Sequence, residues 1–190
     1  MKRLFLALFC AGLLASSARA ADKNPVVEVD TSMGKFKIEL YQDKAPGTVK
    51  NFLAYVDDKF YDGTVFHRVI SDFMIQGGGF EPGMKEKKTK EAIKNESDNG
   101  VANTKYTVAM ARTNQPDSAT AQFFVNVKDN DFLDRAKARD KVGYCVFGKV
   151  IEGMDVVDKI KDVETHDVGG HEKVPVKDVT IKSIRKVESK

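Results

Sequence analysis

This 190-residue sequence has two cysteines, three histidines and no tryptophan, and its longest apolar run, Leu4 to Leu14, is only eleven residues. At about 1.5 Å per helical residue, such a run cannot cross a hydrocarbon core of roughly 30 Å. With Lys2 and Arg3 before it and Ala18-Arg19-Ala20 after it, the run reads as the apolar centre of a secretory signal peptide. Residues 1–20 are therefore expected to be cleaved, leaving 21–190 as a single domain. Cys10 lies inside the apolar centre behind Leu8-Phe9 rather than behind small residues, which argues against lipidation. Cys145 is then the only cysteine of the mature chain, so no internal disulfide can form. Its place between Tyr144 and Val146 fits a core thiol rather than a nucleophile.

A large excess of charge of one sign is also lacking, with 31 Lys and Arg against 28 Asp and Glu. The formal net charge of +3 is carried by Lys2, Arg3 and Arg19, so the mature chain is near neutral. A basic footprint for nucleic acid is missing, and no cationic amphipathic helix points to a membrane surface once the leader is gone. There is no internal repeat and no low-complexity linker. Roughly 170 residues suffice to bury a core without metals or covalent staples.

What is present is mostly short strands. Val26 to Val29 and Phe36 to Leu40 read as a hairpin around Ser32-Met33-Gly34. Pro46 suits a first helical turn, and Val49, Phe52, Leu53 and Val56 follow with the spacing of one helix face. Glu81 to Thr104 is polar and without period, which is long for a connection inside a compact domain; its charged part, Lys85 to Lys94, reads equally well as a functional loop or a solvated excursion. Strand character resumes at Tyr106–Ala111, Gln122–Val127, Tyr144–Val150 and Val179–Val187, with a short helix at Met154–Ile160. Many short strands, two helices and little βαβ spacing favour a mainly β fold, an antiparallel barrel rather than a doubly wound sheet.

One stretch concentrates the chemistry, Phe66-His67-Arg68-Val69-Ile70-Ser71-Asp72-Phe73-Met74-Ile75-Gln76-Gly77-Gly78-Gly79-Phe80. At period two, Thr64, Phe66, Arg68 and Ile70 share one strand face, and Val65, His67 and Val69 the other. A second short strand, Phe73 to Gln76, is expected to end at the three glycines. Arg68 is a permanent cation set among apolar residues, so it needs acceptors either from a neighbour such as Asp72 or from a ligand. His67 points away from Arg68 and reads as structural.

This stretch resembles the signature of the cyclophilin family of peptidyl-prolyl isomerases, Phe-His-Arg, then Phe-Met, then Gln-Gly-Gly. Further blocks resemble the family in its order: Met110-Ala111, Gln122-Phe123-Phe124, Phe132-Leu133-Asp134 and Val146-Phe147-Gly148-Lys149-Val150. The resemblance implies a closed eight-stranded antiparallel β-barrel capped by two α-helices, with an active groove on its outer surface. It implies that Arg68 and Gln76 form the catalytic pair and that Phe73, Met74, Phe124 and Leu133 form the proline pocket. Ala111, Arg112 and Gln122 would line the peptide groove, the backbone of position 112 holding substrate. Phe132 stands where many members carry Trp, which implies weak binding of cyclosporin, and Tyr144 stands where many carry His at the pocket rim. Both substitutions resemble the exported bacterial branch, and with the leader they imply a periplasmic monomer that acts on proline-containing unfolded or folding chains.

Rotation about an X-Pro bond requires no metal, nucleophile or cofactor. A module that grips proline segments without catalysis would use the same pocket, but the polar pair Arg68 and Gln76 argues for chemistry. Other sites fit less well. Glu164, His166, Asp167, His171 and Glu172 match no closed zinc pattern, Gly77-Gly78-Gly79 lacks the helix and Lys-Ser/Thr ending of a phosphate loop, and His67 has no nucleophile elbow to serve.

Overall fold

The computed structural model describes residues 24–187, and the expected leader with its cleavage site lies outside the described residues. Strand β1 (Val26–Thr31) and β2 (Gly34–Leu40) alternate as their sequence dictates, with Val27, Val29, Phe36, Ile38 and Leu40 buried. The turn between them is held by Thr31, whose hydroxyl donates to Gly34 O at 2.7 Å and accepts from Met33 N at 3.0 Å. The chain continues through α1 (Pro46–Asp57), β3 (Val65–Ile70), β4 (Met74–Glu81), β5 (Lys85–Glu86), β6 (Thr107–Met110), β7 (Phe123–Asn126), β8 (Val146–Glu152), α2 (Met154–Lys161), β9 (Thr165–Val168), β10 (His171–Pro175) and β11 (Ile181–Lys186).

Hydrogen-bonded neighbours run β11-β1-β2-β8-β6-β7-β4-β3, every pair antiparallel. The ends of this series meet in a short seam, where Phe66 N donates to Val179 O at 2.9 Å and Ile181 N to Thr64 O at 2.7 Å. The eight strands thus form the expected eight-stranded antiparallel barrel, nearly closed, which leaves little free edge for pairing with other chains. Both helices turn apolar faces to the interior. Phe52 of α1 packs its ring 5.2 Å from Tyr61, 5.6 Å from Phe123 and 5.1 Å from Phe147, and Val156, Val157 and Ile160 of α2 join the same cluster. Burying side chains of this size stabilises by about 1.5–3 kcal/mol each.

The wall formed by β6, β7 and the adjoining strands is buried on both faces. Phe123 and Val125 point inward, whereas Phe124 packs outward with Met74, Ala109, Leu133 and Val146 in a second apolar cluster. That is why β6 and β7 read as unbroken apolar runs rather than alternating ones.

Three details depart from the sequence reading. Phe66 does not share a face with Arg68, because the pairing of β3 with β4 shifts on both sides of Phe66, sending Phe66 and Val69 into the core and Arg68 outward. The glycines do not end the second strand either. β4 runs through them to Glu81, and a Cβ on Gly77 would sit 2.9 Å from Phe66 Cδ1, while Gly78 adopts φ +83°. Tyr144 precedes β8 rather than opening it, because its N–H is taken by Leu133 O at 3.0 Å. The charged stretch around Gly169-Gly170, which matched no closed zinc pattern, forms a hairpin of β9 with β10.

The long connection after β4 is anchored rather than loose. α1 begins at Ala45 with no local side-chain cap, and Glu96 supplies one from far along the chain, accepting from Gly47 N at 3.1 Å, Thr48 N at 2.7 Å and Thr48 Oγ1 at 2.7 Å. Cys145 is buried beneath it, and burial pushes its thiol up to about 11, consistent with a core group.

Candidate functional site

The register of the barrel lays out one outward-facing row. Arg68 of β3 pairs with Gln76 of β4, Gln76 with Phe124 of β7, Phe124 with Ala109 of β6, and Ala109 with Val146 of β8. Cross-strand partners lie about 5 Å apart, so the guanidinium, the amide and the Phe124 ring fall side by side. Above this row two irregular segments complete a hollow. A single turn of 3-10 helix, residues Asp131–Leu133, brings Leu133 over the row, and the turn before β8 brings Tyr144. The resulting cavity of about 160 Å³ is lined by Arg68, Phe73, Met74, Gln76, Ala111, Arg112, Phe124, Leu133 and Tyr144.

Nine of the eleven residues singled out in the sequence therefore converge. Gln122 stands behind them, accepting a hydrogen bond from Gln76 Nε2 at 2.8 Å and so fixing that amide. Phe132 is half-exposed at the rim, its ring 5.5 Å from Phe73. His67 faces elsewhere, buried with its ring 4.6 Å from Phe80. Burial foremost, with His171 and Arg68 nearby, lowers its pKa to about 4, and its Nδ1 has no partner among the described residues.

The two arginines of the hollow are held in opposite ways. Arg112 is tied down at all three nitrogens: Nε donates to Gly143 O at 3.1 Å, Nη1 to Thr113 O at 3.0 Å and Nη2 to the Asp140 carboxylate, while its guanidinium lies 4.5 Å over the Tyr144 ring. The Gly143 N–H, that guanidinium and the Val142 N–H hold the Asp140 carboxyl down to about 2. Arg68 is only partly exposed, yet among the described residues nothing pairs with its guanidinium; Asp72, the neighbour the sequence offered, does not reach it. The backbone N–H and C=O of Arg112 likewise make no protein hydrogen bond among the described residues. Unpaired polar groups beside an apolar hollow are poised for a ligand with matching donors and acceptors.

A polar scaffold under the hollow is built from residues that the sequence reading did not single out. Asn130 Nδ2 donates to Phe73 O at 2.8 Å and Asn126 Oδ1 at 2.7 Å, Asn126 Nδ2 donates to Thr107 Oγ1 at 2.9 Å, and Asn103 ties this group to Asp134 Oδ1 at 3.0 Å. These bonds fix Phe73 and the turn carrying Leu133. The only available signal was three asparagines, 103, 126 and 130, close to strand-like runs, which reads as turn chemistry until the contacts are known.

Comparison with known proteins gives this geometry a family. Residues 26–186 match the family described as cyclophilin type peptidyl-prolyl cis-trans isomerase/CLD. A peptidyl-prolyl cis-trans isomerase of Acinetobacter baylyi is 56% identical over 180 residues, covering 95% of this chain and 94% of that protein. Peptidyl-prolyl cis-trans isomerase B of Escherichia coli is 59% identical over 160 residues, covering 84% of this chain and 98% of that protein. Among solved structures, a Cryptosporidium parvum cyclophilin-type isomerase, crystallised in the presence of the dipeptide Ala-Pro, superposes with a TM-score of 0.73 at 25% identity, covering 86% of this chain and 99% of that one.

Proposed function

This chain belongs to the cyclophilin family of peptidyl-prolyl cis-trans isomerases, and from that premise we propose how its own residues accelerate rotation of X-Pro bonds. Amide resonance sets a barrier of about 18–20 kcal/mol and leaves uncatalysed exchange at tens to hundreds of seconds. Rotation out of plane breaks that resonance, and the proline nitrogen becomes pyramidal and gains a lone pair. A guanidinium held nearby can donate to that lone pair, whereas the planar ground-state nitrogen offers no acceptor. Arg68 therefore favours the transition state over the substrate.

The observation that carries this reading is the Arg68 guanidinium, partly desolvated, beside the proline-sized hollow and without a protein acceptor among the described residues. A hydrogen bond to a charged group is worth about 1.5–3 kcal/mol, more where water is excluded. A ten-thousandfold acceleration needs about 5.5 kcal/mol, so Arg68 shares the task. Phe73, Met74, Phe124 and Leu133 grip the proline ring while the preceding carbonyl swings, and Gln76, fixed by Gln122, follows that carbonyl. The free backbone of Arg112 and the wall at Ala111 hold the peptide in an extended course.

Phe132 and Tyr144 complete the rim, and with no indole donor at position 132 cyclosporin binds weakly. The leader read in residues 1–20 sends the protein to the periplasm, where as a monomer it assists the folding of exported chains. The test of the mechanism is the cis-to-trans rate of an Ala-Pro-Phe peptide with residues 21–190 and with Arg68→Ala at unchanged thermal stability. A fall in kcat/KM of tenfold or more is expected, and an unaltered rate in the folded variant would remove Arg68 from the chemistry.

A further inference from the structure

The proline hollow does not end at Leu133 and Tyr144. On their far side opens a second compartment of about 450 Å³, lined by Phe132, Leu133, Ala138, Arg139, Asp140 and Tyr144, and the two compartments share Leu133 and Tyr144 as a common wall. A peptide whose proline fills the first can reach the second with a residue close by in sequence, since a residue of extended chain advances about 3.3 Å. The character of this second compartment is set by its free charges. Asp140 carries its neutraliser already, in Arg112 and the N–H groups of Val142 and Gly143. Asp131 is paired with Lys137 at 2.6 Å, and Asp134 accepts from the backbone and side chain of Asn103 at 2.7 and 3.0 Å. Every acid between residues 131 and 141 is thus engaged, whereas Arg139 is exposed and has neither hydrogen bond nor ion pair among the described residues. An apolar floor of Phe132 and Ala138 beneath an unmatched guanidinium suits the methylenes and carboxylate of an acidic side chain.

We infer that the Phe132–Arg139–Tyr144 compartment is a specificity subsite that selects substrates with glutamate or aspartate within two residues of the proline, Arg139 supplying the charge. The inference rests on the hollow around Arg68 being the proline site. Lysine at the same peptide position would meet Arg139 with like charge and be disfavoured.

The test compares peptides of one length carrying Glu, Gln or Lys at each position within two residues of Ala-Pro, assayed with the parent chain, with Arg139→Gln and with Lys182→Gln, which removes one charge from β11. At one or more of those positions the parent is expected to prefer Glu over Gln by about two- to fivefold at low salt, the worth of an exposed ion pair. That ratio should collapse towards one in Arg139→Gln and in high salt, and persist in Lys182→Gln. Binding of the same peptides is also followed through the Arg139 side-chain N–H resonance, which should move with Glu and hardly with Gln. A ratio that survives Arg139→Gln, that falls equally in Lys182→Gln, or that never exceeds one in either readout would overturn the inference. Lack of turnover with every peptide would instead contradict the isomerase mechanism, and the resonance titration would still decide the subsite.

Discussion

The interior of the barrel and the hollow on its outer wall are built from the same strands under opposite rules. Inside, polar groups are paired off: Tyr61 donates to Ala121 O at 2.9 Å, Thr64 Oγ1 to Tyr61 O at 2.7 Å, and rings meet rings. Outside, across a single layer of strand, the Arg68 guanidinium and the Arg112 backbone are left without protein partners among the described residues. Neighbours on β7 show the contrast, Phe123 filling the core and Phe124 flooring the hollow. Paired polar groups and packed rings fill one face of the wall, and unpaired donors and acceptors are left on the other.

Substitutions on the two faces should separate these properties. The largest effect is expected inside, where Phe123→Ala removes a fully buried ring and should cost about 3–5 kcal/mol of unfolding free energy, measured by urea titration. Next is His67, which belongs to neither region. Its folded pKa of about 4 lies below its ordinary value of 6.5 because burial disfavours the charged form. Between those values the unfolded chain binds the extra proton, so stability falls as pH drops through that window and levels off below it. The loss is on the order of 3 kcal/mol. His67→Leu sacrifices no hydrogen bond at Nδ1 and should flatten the pH dependence relative to the parent; an unchanged profile would show that the carboxylates dominate. The smallest effect is expected at the rim, where Asp140→Asn loosens Arg112 and Tyr144 and should raise KM about two- to fivefold with kcat nearly constant. Because the Asp140 carboxyl titrates at about 2, acidifying the parent to pH 4 should not reproduce that change.

Much of this division could be read in the sequence wherever one rule governed a residue. The alternation of Phe36, Ile38 and Leu40 and the helical spacing of Val49, Phe52 and Val56 gave the core faces directly. The aromatic and thioether lining of the hollow was readable through family resemblance, since Phe124 and Leu133 approach only after four strands are aligned. Period two failed at Phe66 because a shifted register cannot be seen from one strand alone; the information lies in its partner, where Gly77 and Gly78 make room for Phe66 and Tyr61. Glu96 as the cap of α1, and Asp140 as the holder of Arg112, were out of reach for a similar reason. Each acts on residues at least 28 positions away and looks, in sequence, like any surface acid.

The central claim is that Arg68 is left unpaired by the protein so that it can serve the transition state rather than the substrate. Exchange spectroscopy on a proline peptide gives both the affinity and the cis–trans rate on the bound peptide, and the comparison to make is the parent chain against Arg68→Ala. The rate on the enzyme should fall by tenfold or more while affinity changes less than about threefold. Affinity lost with the bound rate intact would contradict the claim and make Arg68 a binding residue only.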